Sequence, residues 1–137
     1  MYYSLSKWGG GATCGIGVSV SDKPEGPFTD QGKLFRSNEI DVHNSIDPFY
    51  IEDNGKKYLF WGSWYGIWGI ELTEDGLGLK GGIENAKATK IQVAANTGGT
   101  NAYEGSYILK RGKYYYLFCS TGTCCDGANS TYQTVVC

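Results

Sequence analysis

The sequence predicts an all-β fold made of repeated units of about four strands. Residues 44–63 and 104–120 share one design, in which an acid, a strand, a polar turn and an aromatic strand follow one another. A single offset of 57 positions aligns Asp47 with Glu104 and holds through the whole match. The 137 residues include 11 Tyr, 4 Trp and 21 Gly, a composition typical of short strands and turns, and no apolar stripe of helical period appears. A constant offset is typical of modular arrays, so we predict consecutive blades of a β-propeller and no α-helix.

The first unit, residues 1–40, predicts a partial blade. Strands are expected over 1–6 and 13–21, because the second stretch alternates apolar residues with Gly and Ser. Trp8 and three glycines lie between them, and since neither a lysine nor a helical pattern follows, we predict a hairpin loop rather than a phosphate-binding loop. Turn formers fill 21–28, and a short strand follows at 29–36.

The second unit, residues 41–90, predicts a complete blade. A polar stretch leads to Asp47, and Pro48 is compatible with the start of a strand, where its missing N–H costs no ladder bond. Three strands are expected over 49–52, 57–64 and 66–73. A fourth strand at 77–83 is weaker because of its glycines.

The third unit, residues 91–137, predicts another partial blade, and all three units belong to one fragment of a single propeller domain. A short strand is expected at 90–94, before a Thr/Gly/Asn loop at 96–101. The pattern then restarts at Glu104, with strands over 105–110, 113–120 and 130–137.

Composition and charge exclude several classes of partner. The net charge of −2 without a basic cluster argues against nucleic acid. No apolar run reaches the roughly 18 residues of a membrane span, and the N-terminus lacks the pattern of a signal peptide. Five cysteines leave at least one unpaired in the chain, and Cys124, Cys125 and the only histidine, His43, lie too far apart in sequence to suggest zinc. We therefore predict no metal site within this chain.

The two aligned acids are the candidates for chemistry. In a propeller the first residues of the innermost strands surround one mouth of the central channel, so Asp47 and Glu104 would converge on one cavity. A simpler alternative is that both acids cap turn amides at strand starts. Because a neighbouring negative charge and burial both raise the pKa of a carboxyl group, one of two converging acids would keep its proton near neutral pH. A glycosidase needs such a proton for the departing sugar oxygen.

Several motifs resemble glycoside hydrolase family 43, and within it the arabinan-degrading enzymes. The resemblance rests on SIDPFYIEDNGKKYLFWGS, YEGSYILKRGKYYYLF and the loop CSTGTCCDG with STYQTVV after it. The upstream segments YYSLSKWGG and GIGVSVSDKPEGPFTDQGKLFRSN fit the same family in the same order. The resemblance implies a five-bladed β-propeller that hydrolyses glycosidic bonds with inversion and uses three carboxylates. Glu104 matches the general acid of that family, and Asp47 matches the residue that orients the acid and modulates its pKa.

The resemblance also implies parts that this chain lacks. The family's general base is an aspartate early in the first blade, and a histidine of the last blade helps to hold a central metal in many members. A calcium ion is therefore expected only in a complete propeller. We expect this chain alone to be inactive or nearly so, and to self-associate through its open blade faces. The full-length parent is expected to be secreted or periplasmic and to act on arabinan or a related arabinose- or xylose-containing plant polysaccharide.

Four further residues are predicted to bind substrate. Trp8 and Trp64 end equivalent strands, where an aromatic face would stack on a sugar ring, and Ser63 and Ser120 are matched by the repeat. Rim packing for the tryptophans and strand ends for the serines remain alternatives, and His43 is more typical of a solvated loop. Two other functions stay open: an exo-acting β-xylosidase or α-arabinofuranosidase of the same fold, and a non-catalytic carbohydrate-binding propeller.

Overall fold

The computed structural model describes residues 1–5, 11–95 and 102–137, which form three antiparallel sheets. The first sheet has the order β1-β2-β3, the second β4-β5-β6-β7 and the third β10-β9-β8. Each strand pairs with the next one along the chain within its sheet, which is the meander of a propeller blade. The strands are β1 Tyr2–Leu5, β2 Gly15–Val20, β3 Thr29–Arg36, β4 Phe49–Asp53, β5 Lys56–Trp61, β6 Ile67–Glu71, β7 Ile91–Ala94, β8 Glu104–Arg111, β9 Tyr114–Thr121 and β10 Gln133–Val136.

The prediction that the chain has no α-helix is wrong. Helix α1 spans Ser37–Ile40, helix α2 spans Gly82–Thr89, and a 3₁₀ turn covers Gly127–Asn129. The weak strand predicted at 77–83 is also wrong, because α2 begins within it. In α2 only Ala86 is buried, and Ile83 is partly buried against the same core. Two residues in eight do not make an apolar stripe of helical period, so no pattern in the sequence indicates this helix.

The limits of the second unit also differ from the sequence division. The predicted limit at residue 90 falls one residue before β7, and β7 pairs with β6 as the last strand of the second sheet. This sheet therefore has four strands, and the other two have three each among the described residues.

Adjacent sheets are held together by two apolar clusters. In the larger cluster, Phe35 of the first sheet packs on Trp61 of the second with ring centroids 5.1 Å apart, and both side chains are fully buried. The smaller cluster joins Ile67 of the second sheet to Leu117 and Cys119 of the third. Each sheet thus buries its apolar face against its neighbour, which is the source of stability expected of a modular array.

The two repeated hairpins differ in their turns. Asp53 pairs with Lys56, so Asn54 and Gly55 form the turn, and both have positive φ, 50° and 74°. This is the pattern of a type I′ hairpin. In the third sheet Arg111 pairs with Tyr114, so the glycine aligned with Gly55 becomes the first turn residue instead of the second.

No helix in the described ranges is both long and apolar enough to cross a membrane.

Candidate active site

Asp47 lies two residues before β4, at the junction of the first and second sheets. Its φ of 58° is in the left-handed region, which Asp tolerates better than most residues, although the conformation still costs about 1 kcal/mol. Its backbone N–H donates to the Ser4 hydroxyl at 3.1 Å. The chain before it is fixed by buried Ser45, whose Oγ accepts the indole N–H of Trp61 at 3.0 Å. Contacts to two sheets therefore hold Asp47 in place.

Glu104 is the first residue of β8 and lies at the junction of the second and third sheets. It pairs with Ser120 of β9 and also forms a bridge with Ser63. The Ser63 hydroxyl donates to Oε2 of Glu104 at 3.1 Å. Glu104 is only 9% exposed, so this hydrogen bond partly replaces the water that its carboxylate loses on folding.

The structure brings the two acids close enough for the charge of one to act on the other. A bulge follows Glu104, where Gly105 takes a φ of 60° and donates its backbone N–H to the Asp47 carboxylate. Burial raises the pKa of Asp47, the charge of Glu104 raises it further, and the Gly105 N–H opposes both effects. The acids of neighbouring sheets are thus coupled by charge and through the backbone of Gly105.

Tyr132 is a third member of this site, which the sequence analysis missed. Burial raises the pKa of its hydroxyl, followed by a hydrogen bond that the hydroxyl donates to Glu104, while a hydrogen bond from Ser120 opposes the shift. One tyrosine among 11 does not stand out in the sequence, and the residue 57 positions earlier is Asp75, so the repeat gives no indication of its role. Its presence in the STYQTVV motif was the only available indication.

The predicted sugar-binding residues have different surroundings. Ser63 is 2% exposed, and its hydroxyl donates a hydrogen bond to Glu104, which holds that carboxyl group in position. Ser120 contacts Tyr132, as described above. Trp64 follows Ser63, donates its backbone N–H to the carbonyl of Tyr103 at 3.0 Å and leaves 55% of its surface exposed. Trp8 lies outside the described residues, and sugar contact stays a prediction for all four.

His43 lies in the segment that leads to Asp47. The His43 side chain is exposed and its ring packs edge-on against Tyr65, with centroids 4.5 Å apart. Among residues 1–5, 11–95 and 102–137 no three His, Cys, Asp or Glu side chains converge as metal ligands would. The calcium ion expected of a complete propeller stays a prediction.

Comparison with known proteins decides the family. The model of glycosyl hydrolases family 43 matches residues 1–136, a range that includes both acids. This chain belongs to that family. The family 43 chain spans less than half the length of the relatives described next.

Two curated relatives and two solved structures illustrate the similarity. An arabinan endo-1,5-α-L-arabinosidase A of Aspergillus niger is 34% identical over 128 residues, which cover 91% of this chain and 37% of the relative. An extracellular endo-α-(1→5)-L-arabinanase of Bacillus subtilis is 33% identical over 135 residues, covering 97% and 40%.

The first solved structure is an exo-1,5-α-L-arabinanase from a bovine ruminal metagenomic library. It is 38% identical with a TM-score of 0.74, and the match covers 99% of this chain and 46% of that one. A GH43 endo-arabinanase from Bacillus licheniformis has a TM-score of 0.76 at 30% identity. The family 43 chain is therefore part of a five-bladed β-propeller, as the motifs implied.

Proposed function

We propose that this family 43 chain is the acid-bearing part of a hydrolase that cleaves arabinan with inversion. The observation that carries the proposal is that Asp47 and Glu104, from neighbouring blades, lie close enough for the charge of Glu104 to act on Asp47, while Asp47 accepts the N–H of Gly105. Relatives from a fungus and a bacterium are named for arabinan cleavage, which supports the substrate. The name of the Bacillus subtilis relative also supports an extracellular parent.

Glu104 is the general acid in this proposal. Ser63 and Tyr132 donate hydrogen bonds to its carboxylate, and this restricts the directions in which the carboxyl group can turn. The acid would transfer its proton to the glycosidic oxygen of the departing sugar, so that the sugar leaves as a neutral alcohol. With two hydroxyl donors bound, the Glu104 carboxyl group has less freedom to turn. This lowers the entropic cost of orienting it toward the glycosidic oxygen.

Asp47 modulates and orients the acid. Burial and the charge of Glu104 raise the pKa of Asp47, so Asp47 retains its proton to higher pH than an isolated aspartate does. Asp47 also accepts the N–H of Gly105, the residue directly after Glu104, and so couples its own position to the backbone of the acid. The base that removes a proton from the attacking water is assigned by the family resemblance to an aspartate outside these residues.

The mode of cleavage is the least constrained part of the proposal. Named relatives include both endo- and exo-acting arabinanases. We favour endo-cleavage of α-1,5-linked arabinan, with an exo-acting enzyme of the same fold as the alternative. Exposed Trp64 favours a second candidate, a propeller that binds carbohydrate without cleaving it, because an aromatic face is useful for either function.

Glu104→Ala in a complete propeller that contains this chain tests the proposal. Hydrolysis of arabinan should fall about 10²- to 10⁴-fold, because the leaving oxygen loses its proton donor. Hydrolysis of a dinitrophenyl arabinoside should fall far less, because that leaving group needs no proton. Release of reducing sugar and of dinitrophenolate measures the two rates.

The matched control is Glu84→Gln, a change at an exposed helix residue, which should alter neither rate. Equal losses on both substrates would contradict the role of Glu104 as the acid. Undiminished binding of arabino-oligosaccharides, with no turnover in the unmodified propeller, would favour the binding protein instead.

A further inference from the structure

The loop between β9 and β10 carries two adjacent cysteines whose thiols touch. The Sγ atoms of Cys124 and Cys125 lie 2.6 Å apart, and both residues are exposed. Non-bonded heavy atoms rest at about 3.5 to 4.0 Å from one another, so these sulfurs are within reach of a covalent bond. Cys125 has a φ of 68°, a conformation uncommon for residues other than glycine, which makes this pair a distinct local structure.

Hydrogen bonds hold this loop in one shape. The Thr123 N–H donates to Oγ1 of Thr131 at 3.0 Å, and the Thr131 N–H donates to the carbonyl of Thr123 at 3.0 Å. Between them, the Asp126 N–H donates to the Ser130 hydroxyl at 3.1 Å. The cysteine pair therefore lies in a loop whose two sides are joined by hydrogen bonds.

The same loop reaches the candidate active site. Tyr132, directly after Thr131, donates its hydroxyl to Glu104. The charge of Glu104 also acts on Cys124: a hydrogen bond with Cys125 raises the pKa of the Cys124 thiol, followed by burial and the charges of Cys125 and Glu104. Cys124 thus lies close enough to the candidate acid for the charge of Glu104 to act on its thiol.

This electrostatic environment argues against a metal site at the pair. Metal binding requires thiolates, and the charge of Glu104 makes the thiolate unfavourable. A metal would also need further ligands, and none converge in the ranges that the structure describes. A disulfide is neutral, as two thiols are, so the charge of Glu104 does not oppose it.

We propose that Cys124 and Cys125 form a reversible disulfide between adjacent residues, which acts as a redox-sensitive clasp on the loop that carries Tyr132. The oxidant is a low-molecular-weight disulfide such as oxidised glutathione. One cysteine thiolate attacks a sulfur of the oxidant and releases one reduced thiol. The neighbouring cysteine then attacks the mixed disulfide and releases the second. Two S–H bonds break and one S–S bond forms, and both electrons and both protons leave with the reduced oxidant. The site does not depend on hydrolysis by Glu104.

Mass spectrometry of the chain tests the proposal. The protein is incubated with oxidised glutathione at mildly alkaline pH, where more of each thiol is thiolate, and is then unfolded in acidic denaturant with N-ethylmaleimide. The expected product has lost two hydrogen atoms and carries maleimide on the other three cysteines, Cys14, Cys119 and Cys137. Cleavage after Lys113 and fragmentation of the last peptide should locate unlabelled sulfur at 124 and 125 alone. Dithiothreitol should reverse the change.

Variants make the assignment specific. Cys124→Ser and Cys125→Ser should each abolish the loss of two hydrogens, and because both sites are exposed the fold should persist, as circular dichroism would show. Cys137→Ser is the matched control and should keep the loss.

Two results would overturn the proposal. The first is a disulfide that maps to Cys119 and Cys137, a pair close enough that the charge of Cys137 adds to burial in raising the pKa of Cys119 to about 11. The second is a chain that carries only glutathione adducts or remains fully reduced.

Discussion

The two acid-bearing hairpins are repeats in sequence but differ in structure. Asp47 precedes its strand in a left-handed conformation, donates its backbone N–H to the Ser4 hydroxyl and accepts the backbone N–H of Gly105 with its carboxylate. Glu104 is the first residue of its strand, is more deeply buried and accepts side-chain hydroxyls from Ser63 and Tyr132. Ser4 reaches Asp47 from the preceding sheet and Ser63 reaches Glu104 from the preceding sheet, whereas Tyr132 reaches Glu104 from a loop of its own sheet. One repeated position therefore places two carboxyl groups in different surroundings.

Asp47→Asn in the complete propeller is expected to have the largest effect of the four single substitutions that probe this comparison. It removes one carboxyl group from beside the acid while the acid remains, so we expect a fall in kcat/KM on arabinan of about tenfold to a hundredfold, smaller than for loss of the acid. The pH dependence of kcat/KM should also change, because the Asp47 carboxyl, whose pKa burial and the charge of Glu104 raise, no longer titrates.

The control for Asp47→Asn is Asp22→Asn, a change at an exposed residue of the loop between β2 and β3. An unchanged pH profile with reduced rate would show that Asp47 acts only through structure. Equal profiles for both variants would remove the proposed distinction between Asp47 and Glu104.

Ser63→Ala and Tyr132→Phe should have intermediate effects. Each removes one hydroxyl from Glu104, and a single hydrogen bond is worth about 0.5 to 1.5 kcal/mol, which corresponds to about a two- to tenfold loss of kcat/KM. KM should change less than kcat if the hydroxyls orient the acid rather than bind sugar. Steady-state kinetics on arabinan give both constants.

Tyr116→Phe is the matched control for Tyr132→Phe, because Tyr116 is also partly exposed but lies in the middle of β9. The double variant of Ser63 and Tyr132 should lose more than the sum of the single losses in free energy, since Glu104 would then lack both donors.

The smallest expected effect is on the ionisation of Asp47 in the isolated chain. Glu104→Gln removes the charge that is the second cause of the raised pKa, so carboxyl ¹³C NMR should show a lower pKa for Asp47. Burial, the first cause, remains, and the pKa should therefore stay above its ordinary value of 3.8. Glu84→Gln should leave it unchanged. A pKa of Asp47 that does not respond to Glu104→Gln would show that the two acids do not interact in solution.

The sign of the accompanying stability change follows from linkage. A carboxyl group whose pKa is raised in the folded state binds more protons there than in the unfolded state, so the free energy of unfolding falls as pH rises above about 3.8. Because Glu104→Gln lowers the pKa of Asp47, this part of the pH dependence should become shallower. Urea unfolding at several pH values measures it.

The sequence by itself determined most of the strands and the constant offset that aligns the two acids. These follow from local alternation, from turn residues such as Asn54-Gly55, and from a repeat whose offset does not depend on contacts between distant residues. Helix α2 escaped prediction because a helix of two turns with Ala86 as its only buried residue leaves no periodic pattern.

Only the tertiary structure decided what surrounds each acid. Ser63 comes to Glu104 across 41 positions and Ser4 to Asp47 across 43, and Tyr132 arrives from a loop with no counterpart in the other repeat. The physical reason is that hydrogen bonding and burial depend on which blades pack together. Packing brings together residues from distant parts of the chain. Periodicity and short motifs describe only neighbouring positions, so they do not show which distant residues come into contact.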